Sequence, residues 1–300
     1  MLLLLLGSAL VTILMLIREH VALRATGLGP ALFLLGLLLC AALRHGCRRP
    51  ANERQRIARD FGEYVAVFAV MAMIGAIASY PDAAATSGLV DPELQRADRL
   101  LHFDWAQAYH CVAAHRSLQV CGVLAYQSIF LTPAVLLGHY AWTNRREEAY
   151  RFLLSFWLAA VTTLTLFRSL PAAGPLALLP RGSISYMPQS ALYQAQLIPA
   201  LQHHGPRIVD LDALHGLVSA PSFHAASGML YILFARRAPL VGPPLIVLSL
   251  FMMAATPVEG THYLVDIIGG VAVAAMAYAA TGLRRMRPIW TAPLTPAPQG

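Results

Sequence analysis

Apolar residues in this chain come in long unbroken runs, without the alternation of a half-buried strand or the one-sided stripe of a soluble helix. The runs lie near 1–17, 28–43, 61–80, 118–141, 152–170, 222–238, 240–256 and 262–281. Their lengths approach the about 17–25 residues a helix needs to cross the hydrocarbon core. They predict eight membrane helices, the first of them short for a full crossing. Segment 1–17 has neither a positive leader nor a small-residue cleavage site, so it is read as a membrane helix and not as a secretory signal.

The polar stretches between the runs differ in kind. In 81–117, Leu94, Ala97, Leu100, Leu101, Trp105 and Ala108 recur at helical spacing among Arg96, Asp98, Arg99 and Asp104. This predicts an amphipathic helix over 92–110, which either lies on the membrane or packs as a lid over the mouth of the bundle. Stretch 171–221 carries Pro171, Pro175, Pro180, Pro188, Pro199 and Pro206, which predicts irregular backbone with short helices. Beyond Trp290 the proline-rich end reads as a disordered tail. No internal repeat is visible.

Composition agrees with the pattern. The chain is 57% hydrophobic and 12% charged with a mean hydropathy of +0.58, against about 25% charged residues in soluble domains. The fold class is therefore all-α, a polytopic membrane helix bundle. Cys40, Cys47, Cys111 and Cys121 show no metal-type spacing, so neither a metal site nor a cofactor nor an essential disulfide is expected.

The net charge of +7 comes from arginine alone, since the chain has no lysine. Arg44, Arg48, Arg49, Arg54, Arg56 and Arg59 crowd one connection, Arg145, Arg146 and Arg151 another, Arg236 and Arg237 a third, and Arg284, Arg285 and Arg287 the tail. Cytoplasmic connections carry such an excess. Both termini are thus expected inside, and stretches 81–117 and 171–221 outside, periplasmic for a bacterial inner membrane. The basic balance reads as topology, and no nucleic-acid partner is expected.

Ionisable groups are costly inside apolar segments, yet His224, His262 and Asp266 stand at two successive apolar helix starts on the outer side. On a helix, His262 and Asp266 share a face, so the carboxylate can orient the imidazole and leave its other nitrogen free to attack. Read alone, the pair is equally a structural hydrogen bond. His224 supplies a second proton-active group. Ser222 and the N–H groups of Phe223 and His224 offer donors to phosphate oxygens, and Pro221 suits a helix start.

Pro221-Ser222-Phe223-His224 and His262-Tyr263-Leu264-Val265-Asp266 resemble the second and third motifs of the type 2 phosphatidic acid phosphatase superfamily, Pro-Ser-Gly-His and Ser-Arg-x5-His-x3-Asp. The aromatic residue at the glycine position and the His-Tyr-x2-Asp ending are more similar to the branch containing the fungal inositol phosphorylceramide synthases. The resemblance covers roughly 61–281 and includes Phe103-Asp104-Trp105 and Ala125-Tyr126-Gln127-Ser128. It implies a six-helix catalytic core over 61–283, with two added helices and a basic loop in 1–60 and a cytoplasmic tail over 284–300. By it, His262 forms a phosphohistidine, Asp266 orients it, His224 is the general acid, and Ser222 binds phosphate.

The chain also departs from that pattern. Ala255-Thr256 stand where the third motif has Ser-Arg, and the first motif is reduced to Arg168-Ser169-Leu170-Pro171. Phosphoryl transfer needs cationic stabilisation. Arg168 and Arg207 are the candidate replacements, against readings as a snorkelling interfacial arginine and an ordinary loop charge. Tyr126, Gln127 and Tyr263 are possible pocket residues, with helix-to-helix hydrogen bonding the plainer role for the first two. Glu259 lines the entrance or caps its turn. His203, His204 and His215 are read as solvated or capping, His102, His110 and His115 as the polar face of the amphipathic helix, and His139 as near a cytoplasmic helix end.

The expected activity is metal-independent phosphoric ester hydrolysis or phosphotransfer on a lipid-borne phosphate, with hydrolysis ahead. The alternative is transfer to an alcohol such as inositol, making a phospholipid or phosphosphingolipid. A second alternative is a non-catalytic lipid transporter or scaffold, which would more naturally place its ionisable groups at the bilayer midplane. Expected partners are a lipid phosphate or phospholipid substrate, membrane lipids and a small alcohol acceptor.

Overall fold

A computed structural model describes residues 1–203 and 207–283. His204, Pro206, the tail arginines and the segment beyond Trp290 lie outside them. The described residues form eleven α-helices: α1 (Leu2–Arg18), α2 (Leu28–Gly46), α3 (Glu53–Ala84), α4 (Asp91–Leu100), α5 (Trp105–Ala114), α6 (Arg116–Trp142), α7 (Arg146–Phe167), α8 (Tyr193–Gln202), α9 (Phe223–Ala235), α10 (Gly242–Glu259) and α11 (Leu264–Leu283). The architecture is an all-α bundle.

Six helices, α2, α3, α6, α7, α10 and α11, are long and apolar enough to cross a membrane. The protein is a multi-pass membrane protein. All eight expected apolar helices form, but α1 and α9 are the short ones, with 17 and 13 residues. At about 1.5 Å per residue α9 spans only roughly 20 Å. The reason is local: Ser222 caps it at one end, and Arg236 and Arg237 leave the helix to face the polar side.

Helix α3 has 32 residues, roughly 48 Å, and so projects beyond the hydrocarbon at its ends. Its start is a reciprocal cap: Asn52 Oδ1 accepts from Gln55 N at 3.0 Å, and Gln55 Oε1 accepts from Ala51 N at 2.8 Å. Around it the core is aromatic. Phe152 is fully buried and meets Phe234 edge-on at 5.4 Å between ring centres. Buried tyrosines find main-chain partners, Tyr140 at the carbonyl of Phe234 (2.9 Å) and Tyr231 at that of Ile129 (3.1 Å). Each hydroxyl therefore closes a backbone site and also fixes the register of two helices.

Two expectations are corrected. The single amphipathic helix over 92–110 is two helices, α4 and α5, broken by a turn in which His102 has φ +55° and restarted by Asp104, whose side chain accepts from Gln107 N at 3.1 Å. Its apolar stripe is buried only in part: Leu94 and Trp105 are buried, while Leu100 is 82% exposed. Asp91 and Asp98 are buried beside Leu94 because two main-chain N–H clusters beneath α4 draw the carboxylates in. Of the histidines assigned to its polar face, His102 occupies the turn, His110 lies in α5, and His115 joins α5 to α6.

The second stretch is irregular with short helices, as its prolines predict, and it also forms a small parallel pairing that the sequence did not announce. Strand β1 (Ala22–Arg24) pairs with β2 (Ile208–Asp210). Asp212 Oδ1 accepts from Gly29 N at 2.6 Å, and Arg24 pairs with Asp210 at 2.8 Å. The α1–α2 connection is thereby tied to stretch 171–221 at one end of the bundle.

Candidate active site

At that same end α9 and α11 begin side by side. Ser222 is fully buried, and its Oγ accepts from Ala225 N at 3.3 Å, which starts α9. Its own N–H donates to the carbonyl of Asp266 at 3.0 Å. This approach depends on Gly270, where a Cβ would stand 2.2 Å from the carbonyl oxygen of Ser222. Gly270 lies one turn after Asp266 on the same helical face, so the residue that admits the first histidine motif is set by the second.

His262 precedes α11 and does not ride on it, which corrects the expectation of a pair within one helix. Thr261, at φ +51°, turns the chain so that His262 Nδ1 lies 3.6 Å from Asp266 Oδ2. Both side chains are buried, at 3% and 2% exposure. That separation is outside hydrogen-bond length, and Nδ1 of His262 and Oδ1 of Asp266 have no hydrogen-bond partner among the described residues. Buried polar atoms are rarely left so, and Nδ1 facing Oδ2 is the arrangement of a pair able to share a proton. Asp266 Oδ2 also accepts from Tyr263 N at 3.1 Å, which aims the carboxylate.

Tyr126, on α6, packs on His224. Its ring stacks on His224 with centres 4.1 Å apart, and its hydroxyl lies 3.3 Å from His224 Nδ1. A Cβ added at Gly260 would meet His262 at 2.7 Å and Tyr126 at 3.2 Å, so the glycine makes room for both. The structure thus brings Ser222, His224, His262, Asp266 and Tyr126 together.

Helix α4 closes the mouth with two carboxylates that the sequence did not single out for this work. Asp98 caps α11, accepting from Leu264 N and Val265 N at 2.9 Å each. Burial pushes its carboxyl above the usual carboxylate range, and the two N–H groups act in the opposite sense. Asp91 accepts from Ala173 N (2.8 Å), Gly174 N (2.9 Å) and the Tyr263 hydroxyl (2.9 Å). Burial, and then the Asp91 charge, push the Tyr263 phenol up. Gly174 has φ +87°, and a Cβ there would meet the carbonyl oxygen of Thr261 at 2.6 Å. A glycine is required on both counts.

Other expected site residues have other posts. Tyr263 belongs to this clamp, and Gln127 donates to Gln189 Oε1 at 2.7 Å. Glu259 anchors stretch 171–221 by accepting from the Tyr186 hydroxyl (2.8 Å) and Gln189 N (3.1 Å). Trp105 Nε1 donates to the carbonyl of Pro257 at 2.7 Å. Arg168 is paired with Asp82 at 3.4 Å. Arg207 is not brought to the histidines: it donates to the carbonyls of Glu19 (2.6 Å) and Leu201 (3.0 Å) and ties the end of α1 to α8. His215 stacks on Tyr193 with centres 3.6 Å apart. Thr256, in the third motif's arginine position, is fully buried and donates to the carbonyl of Met252 at 2.7 Å.

The two helix starts differ in what they have left to give. The first amides of α11 are taken by Asp98, whereas the N–H groups of Phe223 and His224 make no hydrogen bond among the described residues. Anion-binding capacity therefore resides at the start of α9. Among the described residues no cluster of three His, Cys, Asp or Glu side chains is placed to hold a metal ion.

The chain belongs to the PAP2 superfamily, whose family model matches residues 92–280, more than half its length. Nothing among curated proteins or solved structures matches it. Membership makes it a lipid enzyme of the phosphatase and phosphotransferase type. The matched span begins within α4, one residue after Asp91, and ends within α11, so Asp98 and both histidine motifs fall inside it.

Replacing Asp98 with alanine removes two hydrogen bonds to a carboxylate, each of about 1.5–3 kcal/mol. The expected result is a lower unfolding temperature in detergent together with lost activity, and Asp98→Asn is expected to fall between the two. Unchanged melting of the alanine variant would count against the clamp.

Proposed function

We propose that this PAP2 superfamily member hydrolyses a lipid-borne phosphate through a phosphohistidine. The observation that carries the reading is the buried, incompletely satisfied His262–Asp266 pair beside His224 and a helix start with two uncommitted amides. With Nδ1 turned to Asp266, Nε2 of His262 attacks phosphorus. The bond to the lipid oxygen breaks, and His224, positioned by Tyr126, donates a proton to the leaving alkoxide. Asp266 takes up the positive charge that grows on His262. Water, giving its proton to His224, then attacks the phosphohistidine and releases phosphate. The amides of Phe223 and His224, with Ser222, hold the equatorial oxygens in place of the absent motif arginine, and Arg168 adds long-range positive potential from its pair with Asp82.

A second reading is transfer from a phosphodiester donor to an alcohol such as inositol, as in the branch with the His-Tyr-x2-Asp ending. One observation favours it. Asp91, Asp98 and Glu259 surround the mouth while Arg207 is engaged elsewhere, and a singly charged diester is repelled by those carboxylates less than a doubly charged monoester. Arginine asymmetry supports a mouth on the outer face, the periplasmic one if the membrane is a bacterial inner membrane.

His262→Ala, His224→Ala and Asp266→Asn are each expected to lower lipid-phosphate release by at least about 10²-fold without altering expression, and the losses are not expected to add. Retention of more than about a tenth of activity by His262→Ala would remove its role as nucleophile.

Wild-type activity is expected to survive EDTA. Loss on chelation, restored by Mg²⁺ or Zn²⁺, would transfer the electrostatic work to a metal.

Orientation is tested with single cysteines in a background lacking the native four. Exposed Ser185→Cys is expected to react with an impermeant thiol reagent on intact cells, and exposed Arg236→Cys only after permeabilisation. The reverse pattern would put the mouth in the cytoplasm.

A further inference from the structure

The opposite end of the bundle holds a second polar site that the proposed chemistry does not use. Arg44, His45 and Arg48 at the end of α2, Arg59 on α3 and Arg146 at the start of α7 line, with Ala41, a cleft of about 530 Å³. Two carboxylates are set among them. Glu63 pairs with Arg44, accepts from the Tyr150 hydroxyl, and lies 2.9 Å from Arg146. Asp60 lies 2.7 Å from Arg59 and 3.4 Å from Arg146. Four arginines thus face two carboxylates, and positive charge is in excess. Arg48 and His45 are exposed, and among the described residues no carboxylate pairs with either.

The helix that leads to this cleft is unlike the others. No residue of α2 is buried, and Leu34 and Leu38, on the same side of the helix as Ala41 and His45, are 57% and 59% exposed. In a membrane that face lies against acyl chains and ends at the arginines. Guanidinium groups present paired donors that match phosphate oxygens, and basic clefts between membrane helices recruit anionic headgroups. Asp60 precedes Asp82 by 22 positions on α3, roughly 33 Å along the helix, so the cleft is remote from the histidines.

We propose that this cleft binds the phosphate of an anionic phospholipid in the leaflet at the arginine-rich end, with its acyl chains along the exposed leucines of α2. The two carboxylates hold Arg44, Arg59 and Arg146 in place before the lipid arrives. Arg48 closes on the headgroup from the rim. The inference does not rest on the catalytic reading, since none of these residues belongs to the proposed machinery.

The test is a binding titration of the purified full-length protein in detergent micelles with fluorescent phosphatidylglycerol, using phosphatidylcholine and inorganic phosphate as competitors. Phosphatidylglycerol is expected to bind at least about tenfold more tightly than phosphatidylcholine, a margin that two surface arginines supply. Arg48→Gln is expected to weaken it about fivefold, and the Arg44→Gln/Arg48→Gln pair about 25-fold. Glu63 keeps Arg146 and Tyr150 in the double variant, and exposed, unpaired Arg48 makes the single variant safe for folding. His262→Ala is expected to bind like wild type. The proposal is overturned if the two lipids bind equally, if both arginine variants bind like wild type, or if His262→Ala abolishes binding, which would locate the lipid at the histidines. Full displacement by millimolar inorganic phosphate would overturn it as well, making the cleft a site for free phosphate.

Discussion

The contact on which the site depends is backbone to backbone: Ser222 N donates to the carbonyl of Asp266 where Gly270 lets α9 and α11 touch. Histidines on separate helices do not share a substrate unless their main chains are held in register. Here one hydrogen bond fixes that register, and a missing side chain permits it. A single methyl group at Gly270 would fall within 2.2 Å of an oxygen, and interiors packed to crystal density cannot absorb such an intrusion without moving a helix. The steric requirement at Gly270 is therefore as much a part of the site as the imidazoles are.

Around that contact, the mouth is built from carboxylates that have partners. Asp91 receives three hydrogen bonds, and Asp98 and Glu259 two each. Isolated buried charges are expensive, but carboxylates met by main-chain N–H groups become rigid fasteners. Asp91 secures the turn at Gly174, Asp98 the start of α11, and Glu259 the second outer stretch. The His262–Asp266 pair differs from its surroundings in one respect: Nδ1 of His262 and Oδ1 of Asp266 have no hydrogen-bond partner among the described residues.

The helices and the two histidine motifs were legible because they rest on local rules, namely run length, arginine bias and motif spacing. What escaped depended on tertiary partners. Asp98 looked like one polar residue on an amphipathic surface, and nothing local says that the amides of Leu264 and Val265 lie beneath it. Arg207 looked like a spare cation until its guanidinium was found spent on the carbonyls of Glu19 and Leu201. The β1–β2 pairing joins segments some 186 positions apart and has no periodicity to announce it. Gly270 did leave a trace, a glycine one turn from Asp266 on the helical face that must meet its neighbour.

The division of labour between the two helix starts also bears on phosphate recognition. A helix N-terminus attracts anions through its free amides and its dipole, and a carboxylate bound there consumes both. At α11 Asp98 already occupies the place, accepting from the amides of Leu264 and Val265. At α9 the amides of Phe223 and His224 carry no such partner among the described residues. On the proposed phosphohistidine route, the start of α9 holds the group under attack while Asp266 offsets the charge that grows on His262, a division open to a chain without the usual motif arginine.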